Sequence, residues 1–195
     1  MRPAKLAFHA LAASLFMFGS SSVFAESKQT LSLEAVVVEG AKPLRDVTYL
    51  VERIDRVGDQ GIEARSVNGV AKVDLPAGRY RVTATHGYAS TQQEVAVGDA
   101  PAHQVVNLRA GTVRMKAISN VGAKAIPGNL DWEILTYGRD STGKRQRVAV
   151  STEAQPIFTL PEGYYLAIVK RGARVTKHTI EVTSGITYKY TVLLH

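Results

Sequence analysis

Leu75-Pro76-Ala77-Gly78-Arg79-Tyr80 returns 85 positions later as Leu160-Pro161-Glu162-Gly163-Tyr164-Tyr165. At the same offset Gly87 meets Gly172, Val95 meets Ile180, Val97 meets Val182 and Leu108 meets Leu193. Nearer the start of each copy, Gly40-Ala41-Lys42 matches Gly122-Ala123-Lys124 at offset 82. Val47, Tyr49 and Val51 then match Leu130, Trp132 and Ile134 at offset 83. Self-similarity at a fixed period marks one structural unit used twice. The drift from 82 to 85 marks small loop insertions in the second copy.

Each copy reads as short strands separated by turn signals. In the first, strands are expected near 31–38, 47–54, 61–66, 70–74, 79–86, 89–97 and 103–109. In the second they are expected near 112–119, 130–137, 146–150, 156–159, 164–170, 174–182 and 187–194. Tyr80, Val82 and Ala84 alternate with Arg79, Arg81 and Thr83, a period of two with one face buried. Gly87 and Gly172 sit where hairpins need positive φ. The Leu-Pro-x-Gly step reads as a turn, because Pro presets φ and cannot donate into a ladder. No segment beyond the N-terminal leader has a 3.6-residue period. The expected fold is therefore all-β: two tandem seven-stranded, Ig-like sandwiches, module 1 over 26–110 and module 2 over 111–195.

The stretch 40–49, the Asn68-Gly69 turn and the Leu-Pro-Ala-Gly-Arg-Tyr step together resemble the prealbumin-like sandwich. That group includes carboxypeptidase regulatory-like and collagen-adhesin B-type domains. The tandem form, with Ala154-Gln155-Pro156 leading into Phe158-Thr159-Leu160-Pro161, also resembles repeat segments of secreted Gram-negative proteins. The resemblance implies a fold far more than a function. Its adhesin branch can carry a Lys–Asn crosslink between first and last strands. Lys116 lies in a first strand whose last-strand partner, 187–194, holds no Asn or Asp. Asn107 lies in a last strand whose first strand lacks Lys, Lys42 falling beyond it. No crosslink is expected.

Residues 1–25 read as a leader. Arg2 and Lys5 precede an apolar run over 6–18, then small and polar residues ending in Val23-Phe24-Ala25. Small residues at the last and third-last positions fit cleavage after Ala25. The run is shorter than the roughly 20 residues needed to span a bilayer. A periplasmic or secreted location follows, with no membrane-spanning segment. The sequence has no Cys, which excludes disulfides, thiolate chemistry and a lipid-bearing cysteine. Net charge is +7, unevenly placed. Residues 26–111 hold 10 basic and 11 acidic residues, whereas 112–195 hold 12 and 6.

No catalytic constellation stands out. His86, His103, His178 and His195 have no ligand partner at metal spacing. There is no Gly-x-Ser-x-Gly elbow, no phosphate-binding loop and no calcium loop; Asp55, Asp59 and Glu63 read as a solvated hairpin. No cofactor or metal is expected. An enzyme would need a site assembled from dispersed loops.

Two non-catalytic features remain, both in the second copy. The first is a basic set: Lys144, Arg145 and Arg147 in one hairpin, and Lys170, Arg171, Arg174 and Lys177 around another. Such a set either solvates the surface or meets an anionic protein face, lipid surface or cell-wall polymer. Nucleic acid is not expected, since no stacking aromatics interleave the charges. The second is an apolar stripe. If Tyr165, Ala167 and Val169 face inward, Tyr164, Leu166 and Ile168 face outward, where the first copy has Arg79, Arg81 and Thr83. The stripe serves either as the face on which the modules pack together or as a partner surface. The expected function is a non-catalytic exported binding or scaffold protein of the bacterial envelope. It would recognise a protein or anionic partner mainly through module 2. A spacer without its own ligand is the alternative.

Overall fold

The computed structural model describes residues 27–55, 62–67 and 70–194. The expected leader over 1–25, Asn68 and Gly69, Asp59 and His195 lie outside the described residues. Among those described there are fourteen strands and no helix. The first seven are β1 (Lys28–Val36), β2 (Thr48–Arg53), β3 (Ile62–Val67), β4 (Val70–Pro76), β5 (Gly78–His86), β6 (Ala89–Val97) and β7 (Ala102–Asn107). The next are β8 (Ala110–Ile118), β9 (Asp131–Thr136), β10 (Arg147–Ser151), β11 (Ile157–Pro161), β12 (Gly163–Arg171), β13 (Arg174–Val182) and β14 (Thr187–Leu193).

These strands form four sheets, ordered β4-β1-β7, β3-β2-β5-β6, β11-β8-β14 and β10-β9-β12-β13. The second pair of sheets repeats the first, strand for strand. Neighbours are antiparallel except β1 with β7 and β8 with β14, which run parallel. One core is drawn from residues 31–110 and includes Leu33, Tyr49, Val51 and Tyr80. The other is drawn from 113–194 and includes Trp132, Ile134, Phe158 and Tyr165. Alternation puts these on inward faces, as the period-two pattern requires.

The repeated motif has a physical cause. The Tyr80 hydroxyl donates to the Pro76 carbonyl at 2.8 Å, and the Tyr165 hydroxyl donates to the Pro161 carbonyl at 2.8 Å. In each copy a buried ring thus reaches back four residues and pins the corner. The step does more than the turn the sequence implied, because it also changes sheets. β4 and β11 belong to one sheet of each pair, β5 and β12 to the other, so Leu-Pro-x-Gly carries the chain between sheets. Gly163 has φ +147°, whereas Gly78 is needed for space: a Cβ there would meet Arg53 Nη2 and Asp55 Oδ2, each at 2.8 Å. Gly87 and Gly172 hold φ of +59° and +60° at the hairpin tips.

Backbone hydrogen bonds repeat as well. Leu108 N–H donates to the Val36 carbonyl at 2.8 Å, and Leu194 N–H to the Ile118 carbonyl at 2.9 Å. The counterpart of Leu108 is therefore Leu194, not Leu193. By register Tyr188 stands where Ala102 does, and the stretch from Val182 to Tyr188 holds one residue more than that from Val97 to Ala102, which moves the last strand to offset 86.

The two halves meet at a compact junction. Tyr88 at the β5–β6 tip donates its N–H to the Thr159 carbonyl at 3.0 Å and its hydroxyl to the Val150 carbonyl at 3.0 Å. Its ring lies 5.9 Å from that of Phe158. Arg109, at φ +47°, ion-pairs with Glu162, whose N–H donates to the Arg109 carbonyl at 2.8 Å. The outward stripe of β12 takes no part in these contacts.

Candidate functional site

The sheet β10-β9-β12-β13 turns one face to the core and the other outward. Outward on β12 stand Tyr164, Leu166 and Ile168, as alternation with buried Tyr165, Ala167 and Val169 demands. Their exposures differ sharply: Tyr164 is 59% exposed, Leu166 half-buried and Ile168 only 7% exposed. Ile168 is thus outward but covered, which removes it from the accessible stripe. Cross-strand register sets Glu133 on one side of it and Lys177 on the other, and the stems of such long side chains cover apolar surface.

The repeat allows a position-by-position comparison. In the first half Glu52 of β2 faces Arg81 of β5. At the same lattice point of the second half, Leu135 of β9 faces Leu166 of β12. Arg79, which ion-pairs with Glu94 at 2.6 Å, is replaced by Tyr164. A charged surface has become apolar and aromatic.

Tyr137 extends this patch. It is 51% exposed, its ring lies 6.3 Å from that of Tyr164, and the Arg145 guanidinium stacks 5.2 Å above it. The loop between β9 and β10 is locked in place. The Asp140 carboxylate accepts from Thr142 N–H at 2.8 Å, Thr142 Oγ1 at 2.7 Å and Lys144 N–H at 3.0 Å. Those bonds, the Thr142 hydroxyl foremost, hold the Asp140 carboxyl below the usual carboxylate range. Arg145 also donates to the Thr136 carbonyl at 3.1 Å, so its cation is aimed rather than free. The Tyr164 hydroxyl donates to Glu181 at 3.1 Å, and that carboxylate pushes the phenol's pKa up. Tyr164 therefore stays neutral and positioned.

The basic set is not one patch. Arg147 and Lys170 frame a shallow outward depression of about 390 Å³ that also holds Asp131 and Glu133. Lys170 lies 3.8 Å from Glu133, so much of its charge is compensated. Lys177 stands beside Ile168 on the same face. Arg171 and Arg174 pair across the tip of the β12–β13 hairpin on the opposite side of the sheet, because they continue the parity of the core residues. Lys144 is exposed in the β9–β10 loop.

Leu135 and Tyr137 escaped the sequence reading. Their signal was present, because buried Trp132 and Ile134 force Leu135 of β9 outward and Tyr137, just past the strand, keeps the same parity. No group of three His, Cys, Asp or Glu able to hold a metal occurs among the described residues. His103 stands 3.6 Å from Glu34, and His178 packs edge-on to Tyr190. No helix among the described residues is long and apolar enough to cross a membrane.

No family model matches this sequence, and no curated protein matches it. Solved structures do. The Bacillus anthracis TIE protein is 20% identical with a TM-score of 0.34, covering 86% of this chain and 34% of its own. This chain thus spans about a third of that protein. The minor pilin GBS52 of the Gram-positive pathogen Streptococcus agalactiae is 10% identical with a TM-score of 0.43, covering 85% of this chain and 95% of its own. A candidate adhesin of Bacteroides thetaiotaomicron is 13% identical with a TM-score of 0.36, covering 81% of each chain.

Proposed function

We propose that this chain is a non-catalytic binding or scaffold protein, exported to the bacterial envelope behind a cleaved leader. In this reading residues 26–110 and 111–195 are two sandwich modules, and the second recognises a protein partner. The observation that carries it is the exchange of the Glu52–Arg81 pair and Arg79 for Leu135, Leu166 and Tyr164 at equivalent sheet positions. Aromatic side chains with an adjoining arginine, Tyr137, Tyr164 and Arg145 here, are what protein interfaces concentrate at their energetic centre. The test is affinity capture from envelope extract with the full chain and with a Tyr164→Arg, Leu166→Arg variant, which restores the first-half surface. Saturable capture lost in the variant supports the reading; equal capture by a folded variant sinks it.

A spacer role is favoured by one different observation. The Tyr88 and Arg109–Glu162 contacts tie the halves at a junction only two residues long, Leu108 and Arg109. A spacer shows no saturable partner in the same experiment.

A further inference from the structure

We propose that the outward face of the other second-half sheet, β11-β8-β14, binds an acidic polysaccharide through Arg114, Lys116 and Lys189. This shares with the reading above only the assignment of recognition to the second half; the residues and the face are different.

Alternation buries Val113, Met115 and Ala117 of β8 and turns Arg114 and Lys116 outward. Parallel register sets Lys189 of β14 directly beside Arg114, and antiparallel register sets Ile157 of β11 on its other side. The three strands contain no Asp or Glu. Among the described residues none of the three cations has an ion-pair partner. Like charges placed directly across neighbouring strands destabilise a sheet, so the arrangement costs stability unless an anion sits on it. The repeat again gives the comparison. At the equivalent points the first half carries Ser32, Glu34 and His103, with His103 and Glu34 3.6 Å apart. Where one copy sets a carboxylate beside a histidine, the other sets three cations and no carboxylate.

The lining identifies the ligand's chemistry. The cations surround a shallow depression of about 360 Å³ that also presents Gln155, Ile157 and Thr191. Ile157 is 53% exposed. Backbone N–H groups lie in the plane of a sheet, so recognition on its face falls to side chains. Arg114 and Lys116 are two residues apart on one strand, about 7 Å, and Lys189 lies about 5 Å to the side. Charges so spread suit a chain of separated carboxylates better than one compact anion. An amide and a hydroxyl match sugar hydroxyls, and an isolated aliphatic side chain matches the C–H face of a sugar ring. A polyphosphate offers nothing to Gln155 and Ile157, and a bilayer calls for a wider apolar surface than one isoleucine.

The test is calorimetric titration of the full chain with polygalacturonate, polyphosphate of equal charge concentration, neutral dextran and phosphatidylglycerol vesicles. The expected result is binding of polygalacturonate that weakens with salt and exceeds that of the other three probes. Exchanging Arg114→Ser, Lys116→Glu and Lys189→His should weaken it about tenfold or more, while Tyr164→Arg with Leu166→Arg leaves it unchanged. All three exchanged positions are exposed, and Lys116→Gln alone provides a milder variant. Failure to bind polygalacturonate overturns the proposal. So does equal binding by the folded triple variant, or equal or tighter binding of polyphosphate or vesicles. None of these results bears on partner capture through Tyr164.

Discussion

Replacing Tyr165 by Phe removes one oxygen and leaves the buried ring. That oxygen donates to the Pro161 carbonyl at 2.8 Å, and burial raises the phenol's pKa, so it remains a donor at neutral pH. The net worth of such a bond is about 1 kcal/mol. Pro161 is half-buried, so water takes over part of the carbonyl's demand and keeps the loss near that figure. In a unit of roughly 60–100 residues, 1 kcal/mol shifts Tm by about 4–8 °C. Trp132 makes the assay selective: it is the sole tryptophan of the chain, 2% exposed, and shares a core with Tyr165. Tyr165→Phe should lower the transition seen by tryptophan fluorescence. Tyr80→Phe, its counterpart in the other core, should lower only the transition seen by far-UV circular dichroism. The double variant should add within about 0.5 kcal/mol. A Tyr165→Phe change below about 0.3 kcal/mol refutes the pinned corner. An equal response of Trp132 to Tyr80→Phe refutes the separateness of the two cores.

Gly111 offers a harsher perturbation. A Cβ there would lie 2.5 Å from the Thr183 carbonyl oxygen and 2.9 Å from Val182 Cγ1, so Gly111→Ala should cost the second half about 1–3 kcal/mol in urea denaturation. Acid should also weaken the fold in a defined direction. Asp55 is held below the usual range by the Arg53 side chain and the Arg79 N–H, and Glu162 by the Ser184 hydroxyl and Arg109. Carboxyls depressed in the folded state contribute stability above their unfolded pKa and lose it as pH falls through the folded one. The Asp55→Asn, Glu162→Gln variant should therefore lose less stability than the parent between about pH 6 and about pH 3, read as the change in urea midpoint.

Strand positions were legible because alternation is local. Tyr80, Val82 and Ala84 declare an inward face without reference to any partner, and a duplicated motif checks each assignment against the other copy. Pairing was not legible, because nothing within β1 or β14 states that it will lie parallel to a distant strand. The corner formed by Leu-Pro-x-Gly looked like a turn because Pro and Gly favour turns. Only the sheet membership of its flanking strands shows a crossing. At the outward face, alternation gave the side on which Ile168 stands, but its burial and its cross-strand neighbours Glu133 and Lys177 follow only from strand pairing. Charge pairing around the basic set was not legible for the same reason. Lys170 and Glu133 are far apart in sequence and adjacent in space, whereas Arg114 and Lys189 gain their importance only once β8 and β14 pair.

The most direct test of recognition through the second half places a photo-crosslinking amino acid at position 164 and, separately, at its first-half counterpart 79, in chain produced in its own host. Irradiation should yield a discrete protein adduct from position 164, competed away by excess unlabelled chain, and none from position 79. No adduct from 164, or equal adducts from both positions, would contradict the account.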